Sequence, residues 1–310
     1  MDTLSSSKLT RYAWLSIGVA ILTIGLKSAA YFLTGSVGLL SDALESLVNL
    51  AGALMALAML TVAARPADEE HPFGHSKAEY FSSGLEGFLI VAAALSIIYT
   101  AVQRLITPKP LEQLGIGLIV SVAASLANLG AALIIRQAGR KNNSITLIAN
   151  SNHLMTDVIT SGGVIVGIGA VALTGWIVLD PIIAILVAIN IIVTGYRIVR
   201  ESVSGLMDSA LSKEDLDLIE GILEQHKEKG VEYHALRTRK SGAKKMITMH
   251  VLVPGRWTVQ RGHRLISQIE KEIKDKVSDS IVLTHLETLS DPESFEDDGF
   301  GQAAPPAPEK

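Results

Sequence analysis

Residues 146–173, TLIANSNHLMTDVITSGGVIVGIGAVAL, decide how this chain folds. A helix needs about 20 largely apolar residues to cross a bilayer, and this stretch is long enough. Yet it carries His153 and Asp157 in its first half. Ionisable groups are costly in a membrane interior, at least ~2.5 kcal/mol each on insertion scales, so a chain that keeps them there has a task for them. An earlier apolar stretch, roughly 38–63, holds a second pair, Glu45 and Asn49. Both pairs are spaced i,i+4, which puts their members on one helix face about 6 Å apart. Two such faces turned toward each other would offer four oxygen and nitrogen ligands to one metal ion.

Outward from that stretch, six segments qualify as membrane spans: roughly 11–33, 38–63, 79–104, 113–136, 146–173 and 179–203. The breaks carry turn chemistry at Thr34-Gly35-Ser36, Pro66 to Pro72, Pro108-Lys109-Pro110, Gly139 to Asn143 and Thr174-Gly175 to Pro181. Asp180-Pro181 opens the last helix with proline at its first position. Lys8, Arg11, Arg65, Lys77, Arg136, Arg140, Lys141, Arg197 and Arg200 gather at one set of helix ends, against Arg104 and Lys109 at the other. Basic residues concentrate on the cytoplasmic side, so both termini are expected in the cytoplasm of a multi-pass protein of the inner (cell) membrane.

The composition agrees. Of 310 residues 48% are hydrophobic, and the distribution is uneven, with apolar runs from about 10 to 205 and a charged remainder. The net charge of −4 decides little because its sign changes along the chain. With no cysteine, disulfides, thiolate metal sites and cysteine nucleophiles are excluded. Met1–Lys8 lacks the features of a signal peptide, so the first apolar run is expected to stay as a transmembrane helix. The domain reading is 1–208 transmembrane, 209–290 soluble, and 291–310 an acidic, proline-rich tail with too little to bury, expected to be disordered.

In the soluble part, Ser212-Lys213-Glu214-Asp215 resembles a helix N-cap with an acid at N3, where glutamate or glutamine is more usual. Leu216, Ile219, Ile222 and Leu223 mark one face of a helix ending near Gly230. Residues 231–239 and 245–253 read as strands joined by Ser241-Gly242, 264–277 as a second helix, and 281–289 as a closing strand. The expected fold class is thus an α-helical membrane protein with six transmembrane helices, followed by a small α+β domain of order αββαβ.

Three clusters carry chemistry. Glu45, His153 and Asp157 can each ligate a metal, and the Asn49 carbonyl can complete a tetrahedron. With histidine neutral, the quartet holds about two negative charges, matching one divalent cation. Interhelical hydrogen bonding is the plainer alternative for such groups. The second cluster, Asp68-x-x-His71-x-x-x-His75, lies in the loop after the second helix, with Pro72-Phe73-Gly74 setting a turn between the imidazoles. It reads as a zinc site or as solvated side chains. The third is His234, His250, His263, His285 and Glu287 in the soluble domain, which also holds His226. His285 and Glu287, two residues apart, share one face of the last strand. Scattered surface histidines are the alternative there.

The stretches Ser41-Asp42-Ala43-Leu44-Glu45-Ser46-Leu47-Val48-Asn49, His71-Pro72-Phe73-Gly74-His75-Ser76-Lys77-Ala78-Glu79, His153-Leu154-Met155-Thr156-Asp157 and His234 to Gly242 together resemble the cation diffusion facilitator family, in its bacterial zinc/iron-type branch. The likeness covers about residues 10–290. It implies a homodimeric, proton-coupled exporter of divalent metal, with a metallochaperone-like cytoplasmic domain that serves metal binding and dimerisation. It maps a transport site onto Glu45, Asn49, His153 and Asp157, and a loop site onto Asp68, His71 and His75. A two-metal cytoplasmic site falls on His234, His250, His285 and Glu287, with His263 bridging, and an inter-subunit charge interlock falls on Lys77 and Asp208. The branch usually has aspartate where Glu45 and Asn49 stand. An amide carbonyl is a hard, weak donor that suits Mn²⁺ or Fe²⁺ at least as well as Zn²⁺.

The expected function is therefore export of a divalent transition-metal cation by alternating access, with a Mn²⁺- or Co²⁺-preferring transporter as the alternative. The expected partners are the metal, protons, the lipid bilayer and a second copy of the chain. Neither a nucleic acid nor a cofactor is expected, the metal being substrate and allosteric ligand. An intramembrane metalloenzyme is the rival class, but the chain has no His-Glu-x-x-His motif. A metal-sensing receptor would not need the intramembrane quartet.

Overall fold

The computed structural model describes residues 3–34, 37–107, 114–176, 178–227 and 230–295; for some positions inside the helices, Glu45 among them, it describes the backbone alone. Of the acidic tail expected to be disordered from 291, residues 291–295 are ordered and carry a 3₁₀ turn at Pro292–Phe295 with Ser294 buried, and the remainder from 296 onward lies outside the described residues. The chain divides into two compact units, Met1–Leu206 and Met207–Lys310.

The first unit is six long helices: α1 Thr3–Thr34, α2 Val37–Ala63, α3 Ala78–Ile106, α4 Leu114–Lys141, α5 Ile145–Thr174 and α6 Leu179–Leu206. Among the described residues, Leu9–Ala29, Ala78–Ile106, Val122–Lys141 and Pro181–Leu206 are each long and apolar enough to cross a membrane, and α2 adds the shorter apolar stretch Asn49–Ala63. The packing polarity is that of a membrane bundle. Phe81, Phe88, Leu126 and Leu186 face outward, while Ser82, Glu86, Asn128 and Asn150 are buried. In lipid the apolar surface costs nothing, and polar groups turn inward to find one another.

Helix α3 lies chiefly against α6, α1 against α2, and α4 against α5, with α2 and α5 also touching. The α3–α6 crossing is set by glycine. A Cβ on Gly195 would stand 3.0 Å from the Gly87 carbonyl oxygen, and one on Gly87 would stand 3.1 Å from that of Gly195. Small residues let two backbones approach this closely. Beside the crossing, Ser202 Oγ donates to the Tyr80 carbonyl and Ser83 Oγ donates to Ser202 Oγ over 3.3 Å.

The second unit runs α7 Lys213–Lys227, β1 Glu232–Ser241, β2 Lys244–Val253, α8 Val259–Lys276, β3 Ser280–Thr288, then a short 3₁₀ turn at Pro292–Phe295. The sheet order is β1-β2-β3, with β1 and β2 antiparallel and β2 and β3 parallel. The cap read from sequence is present: the Asp215 amide donates to Ser212 Oγ over 3.3 Å, and Ser212 Oγ donates to the Asp215 carboxylate. Ile247, Met249, Val251 and Val253 of β2 bury one face against Ile219, Ile222 and Leu223 of α7 and Ile269 and Ile273 of α8. That leaves the opposite face, with His250, for other purposes.

Helix α8 begins five residues earlier than expected from the sequence. Thr258 caps it, its Oγ1 accepting from the Arg261 amide over 3.3 Å. Gly262 reads as a breaker, yet it sits inside the first turns because a Cβ there would overlap the Leu286 side chain of β3.

Candidate metal centres

Helix α5 presents a buried polar face. Thr146, Asn150, His153 and Asp157 are all buried, at spacings of four, three and four residues that keep them on one side of the helix. Asp157 is the focus. Asn49 of α2 donates its amide to Asp157 Oδ2, and Asn128 of α4 donates to the same oxygen over 3.1 Å. Asn49 Oδ1 is buried without a hydrogen-bond partner. The structure thus brings Asn49 and Asp157 together, with His153 one turn away on α5, and the Glu45 side chain lies outside the described residues. An amide oxygen without a partner, a carboxylate and an imidazole on neighbouring turns form a donor set for a divalent cation.

Sequence reasoning passed over four residues around this face: Asn128, Asn150, Glu79 and Glu86. Glu79 opens α3, where its carboxylate accepts from Ser144 Oγ and, over 3.4 Å, from the Thr146 amide. Glu86, two turns further along α3, is fully buried, and its Oε1 accepts from Asn150 Nδ2 over 3.1 Å. The available signal was their polarity inside apolar runs.

The loop cluster is compact. His71 Nδ1 and His75 Nε2 each lie 3.3 Å from a different oxygen of Asp68, and the two rings are 4.5 Å apart. One ligand atom from each residue fits within a span of 4.8 Å. The turn is closed by the Gly74 amide donating to the His71 carbonyl over 2.9 Å, with Gly74 at φ 84°. The His71 backbone amide donates to Asp68 Oδ1 over 2.7 Å, and this bond above all holds the Asp68 carboxyl below the usual carboxylate range. His75 Nδ1 is buried without a hydrogen-bond partner.

In the second unit, strand register aligns three histidines. His234 pairs with His250 across β1 and β2, and His250 pairs with His285 across β2 and β3. Their rings stand 4.9 and 5.0 Å apart in sequence. Glu287 reaches all three: its Oε2 is 2.8 Å from His234 Nε2, and its Oε1 is 3.1 Å from His250 Nδ1 and 3.6 Å from His285 Nε2. The His250 contact is off the hydrogen-bonding direction, leaving that nitrogen unsatisfied. A register shift after His234, with Ala235 at φ 50°, turns β1 just past this row. Among the described residues the metal-capable group is His234, His250 and Glu287, with exposed His285 at its edge. His263, exposed near the start of α8, is not a member of it.

Lys77 and Asp208 fall in different units. Lys77 Nζ donates to the Leu206 carbonyl over 3.5 Å, and Asp208 accepts from Arg239 over 3.1 Å.

Two family models match in tandem: the cation efflux transmembrane domain over residues 13–207, and the cation efflux protein cytoplasmic domain over 211–289. The chain belongs to the cation diffusion facilitator family. Membership rests on both models in the expected order, and the chain sits with the bacterial zinc/iron-type branch of cation efflux transporters. An uncharacterized transporter of Synechocystis sp. is 52% identical over 295 residues, 95% of each chain. The cation-efflux pump FieF of Klebsiella pneumoniae subsp. pneumoniae is 31% identical over 282 residues, covering 91% of this chain and 93% of that pump. FieF of Citrobacter koseri is 32% identical over 273 residues, 88% of this chain and 90% of its own. The family is one of multi-pass membrane cation transporters, not of enzymes.

Proposed function

We propose that this facilitator is a homodimeric metal/proton antiporter that exports a divalent transition-metal cation, Zn²⁺ or Fe²⁺, from the cytoplasm across the inner membrane, with both termini cytoplasmic. The observation that carries the reading is Asp157, a carboxylate buried in a membrane bundle and held by amides from α2 and α4. Glu45, Asn49, His153 and Asp157 bind the cation from one side, and a rocking of helix pairs presents it to the other. Metal ligands must be deprotonated, so protons arriving from outside displace the ion. Asn49 cannot titrate, which leaves His153, Glu45 and Asp157 as carriers.

The loop triad and the histidine row are proposed as further metal sites. The row is regulatory: metal there tightens the dimer so that transport rises with cytoplasmic metal. Dimerisation is supported by the C-terminal match, a module named for it. A preference for Mn²⁺ or Co²⁺ is the second reading, favoured by the Asn49 amide at the intramembrane site. The test is reconstitution into vesicles with a pH gradient. Metal flux with counter-moving protons is expected, lost in Asp157→Ala; metal flux that moves no protons overturns the coupling.

A further inference from the structure

Glu86 is the buried acid that the transport site leaves unused. Its carboxylate is fully buried within the apolar span of α3, and only Oε1 has a partner, the Asn150 amide at 3.1 Å. Glu86 Oε2 and Asn150 Oδ1 are both buried without a hydrogen-bond partner. A buried carboxylate oxygen with nothing on it is expensive, so the fold must supply a cation or a proton there.

The surroundings favour a cation. On α2, a Cβ at Gly52 would lie 3.5 Å from His153 Nδ1 and 3.7 Å from Glu86 Cγ. The imidazole and the glutamate chain therefore converge over the one position of that helix turn that has no side chain. Glu86 comes from α3, Asn150 and His153 come from α5, and Asp157 follows His153 by one turn on the same face of α5. Glu86 and Asn150 repeat the donor chemistry of Asp157 and Asn49, and the His153 imidazole is shared by both sets. An ion can pass between two such sets without a change of ligand preference. Glu86 also restores the negative charge that Asn49 does not supply.

We infer that Glu86, with Asn150 and His153, forms a second intramembrane binding position for the divalent substrate, one helical turn along α5 from Asp157. The inference rests on the transport reading above and adds a residue to it. A merely structural role for Glu86 is separable, since glutamine keeps an oxygen for the Asn150 amide and removes only the charge.

The experiment is Zn²⁺ uptake into vesicles carrying the full chain, with initial rates measured over a range of Zn²⁺. Glu86→Gln is expected to raise the half-saturating concentration about tenfold. Glu86→Asp should recover part of the loss. Asn150→Ala removes the amide oxygen offered to the ion and should shift half-saturation in the same direction. It carries the test if Glu86→Gln fails to assemble in the membrane. Half-saturation within about twofold of wild type in Glu86→Gln, or in Asn150→Ala when only that variant assembles, overturns the proposal. Loss of transport in Asp157→Ala alongside an unaltered Glu86→Gln removes this position alone. Transport surviving Asp157→Ala removes the transport-site reading itself.

Discussion

Asn128 of α4 donates its amide to Asp157 Oδ2 over 3.1 Å, so the carboxylate of α5 is oriented from a helix that sequence motifs leave out. Groups that orient a metal ligand tune its affinity by about 10- to 100-fold. Asn128→Leu should therefore raise the half-saturating metal concentration by at least about tenfold with the protein still assembled. Unchanged transport kinetics would sink the orienting role.

Asn49 donates its amide N–H to the same carboxylate and leaves its uncharged oxygen without a partner. Asn49→Asp replaces a neutral oxygen donor with a charged one and is expected to tighten binding and change the relative uptake of the divalent ions. Uptake of Zn²⁺, Fe²⁺, Mn²⁺, Co²⁺ and Cd²⁺ by the two proteins measures this. Identical relative rates for all five ions would show that Asn49 does not set selectivity.

The loop triad makes a pH prediction. The Asp68 carboxyl is held below its usual range by the His71 backbone amide, so it stays anionic as pH falls through the ordinary carboxylate range. Its charge is therefore available to a metal across that range. Asp68→Asn removes a charged ligand, so at fixed metal the loop should empty at a higher pH than in the wild type. Metal content of the full chain against pH tests this, and an unmoved midpoint in Asp68→Asn contradicts it.

Glu287 touches each member of the histidine row, so Glu287→Ala should remove metal from the second unit more completely than His285→Ala does. Transport should persist in both, with a flatter dependence on metal concentration. Complete loss of flux would contradict a regulatory role.

Gly262 lies under Leu286. Gly262→Val forces the start of α8 away from β3 and should destabilise the second unit by roughly 1–3 kcal/mol. Thermal unfolding followed by a probe in that unit is the check.

The apolar runs and the i,i+4 pairs made the bundle legible, because membrane length and helix period are written directly into residue order. The Ser212 cap and the Ser241-Gly242 hairpin were legible for the same local reason. Asn128, Asn150 and Glu86 were not. Each is a single polar residue in an apolar run, and its meaning depends on which helix lies opposite, a property of packing that no spacing within one helix encodes. The start of α8 was missed because the apolar face from Leu265 onward marks the helix from 264, whereas Gly262 fits as a helical residue only once Leu286 is beside it. The alignment of His234, His250 and His285 needed the register of three strands, set partly by the parallel pairing of β2 and β3.

The backbone-to-backbone crossing at Gly87 and Gly195 has a mechanical meaning. With no room for a Cβ at either glycine, Ser202 tied to Tyr80, and Ile90 packed in one core with Ile191 and Ile198, α3 and α6 interlock. Bending or sliding one without the other would break these contacts, so the pair is expected to move as a single stiff beam. Glu86, one residue before the crossing, is bolted to that beam, whereas Asp157 and Asn49 ride on α5 and α2. A change of access that moves α2 and α5 past the beam would open and close the gap between the two carboxylates like the stroke of a piston.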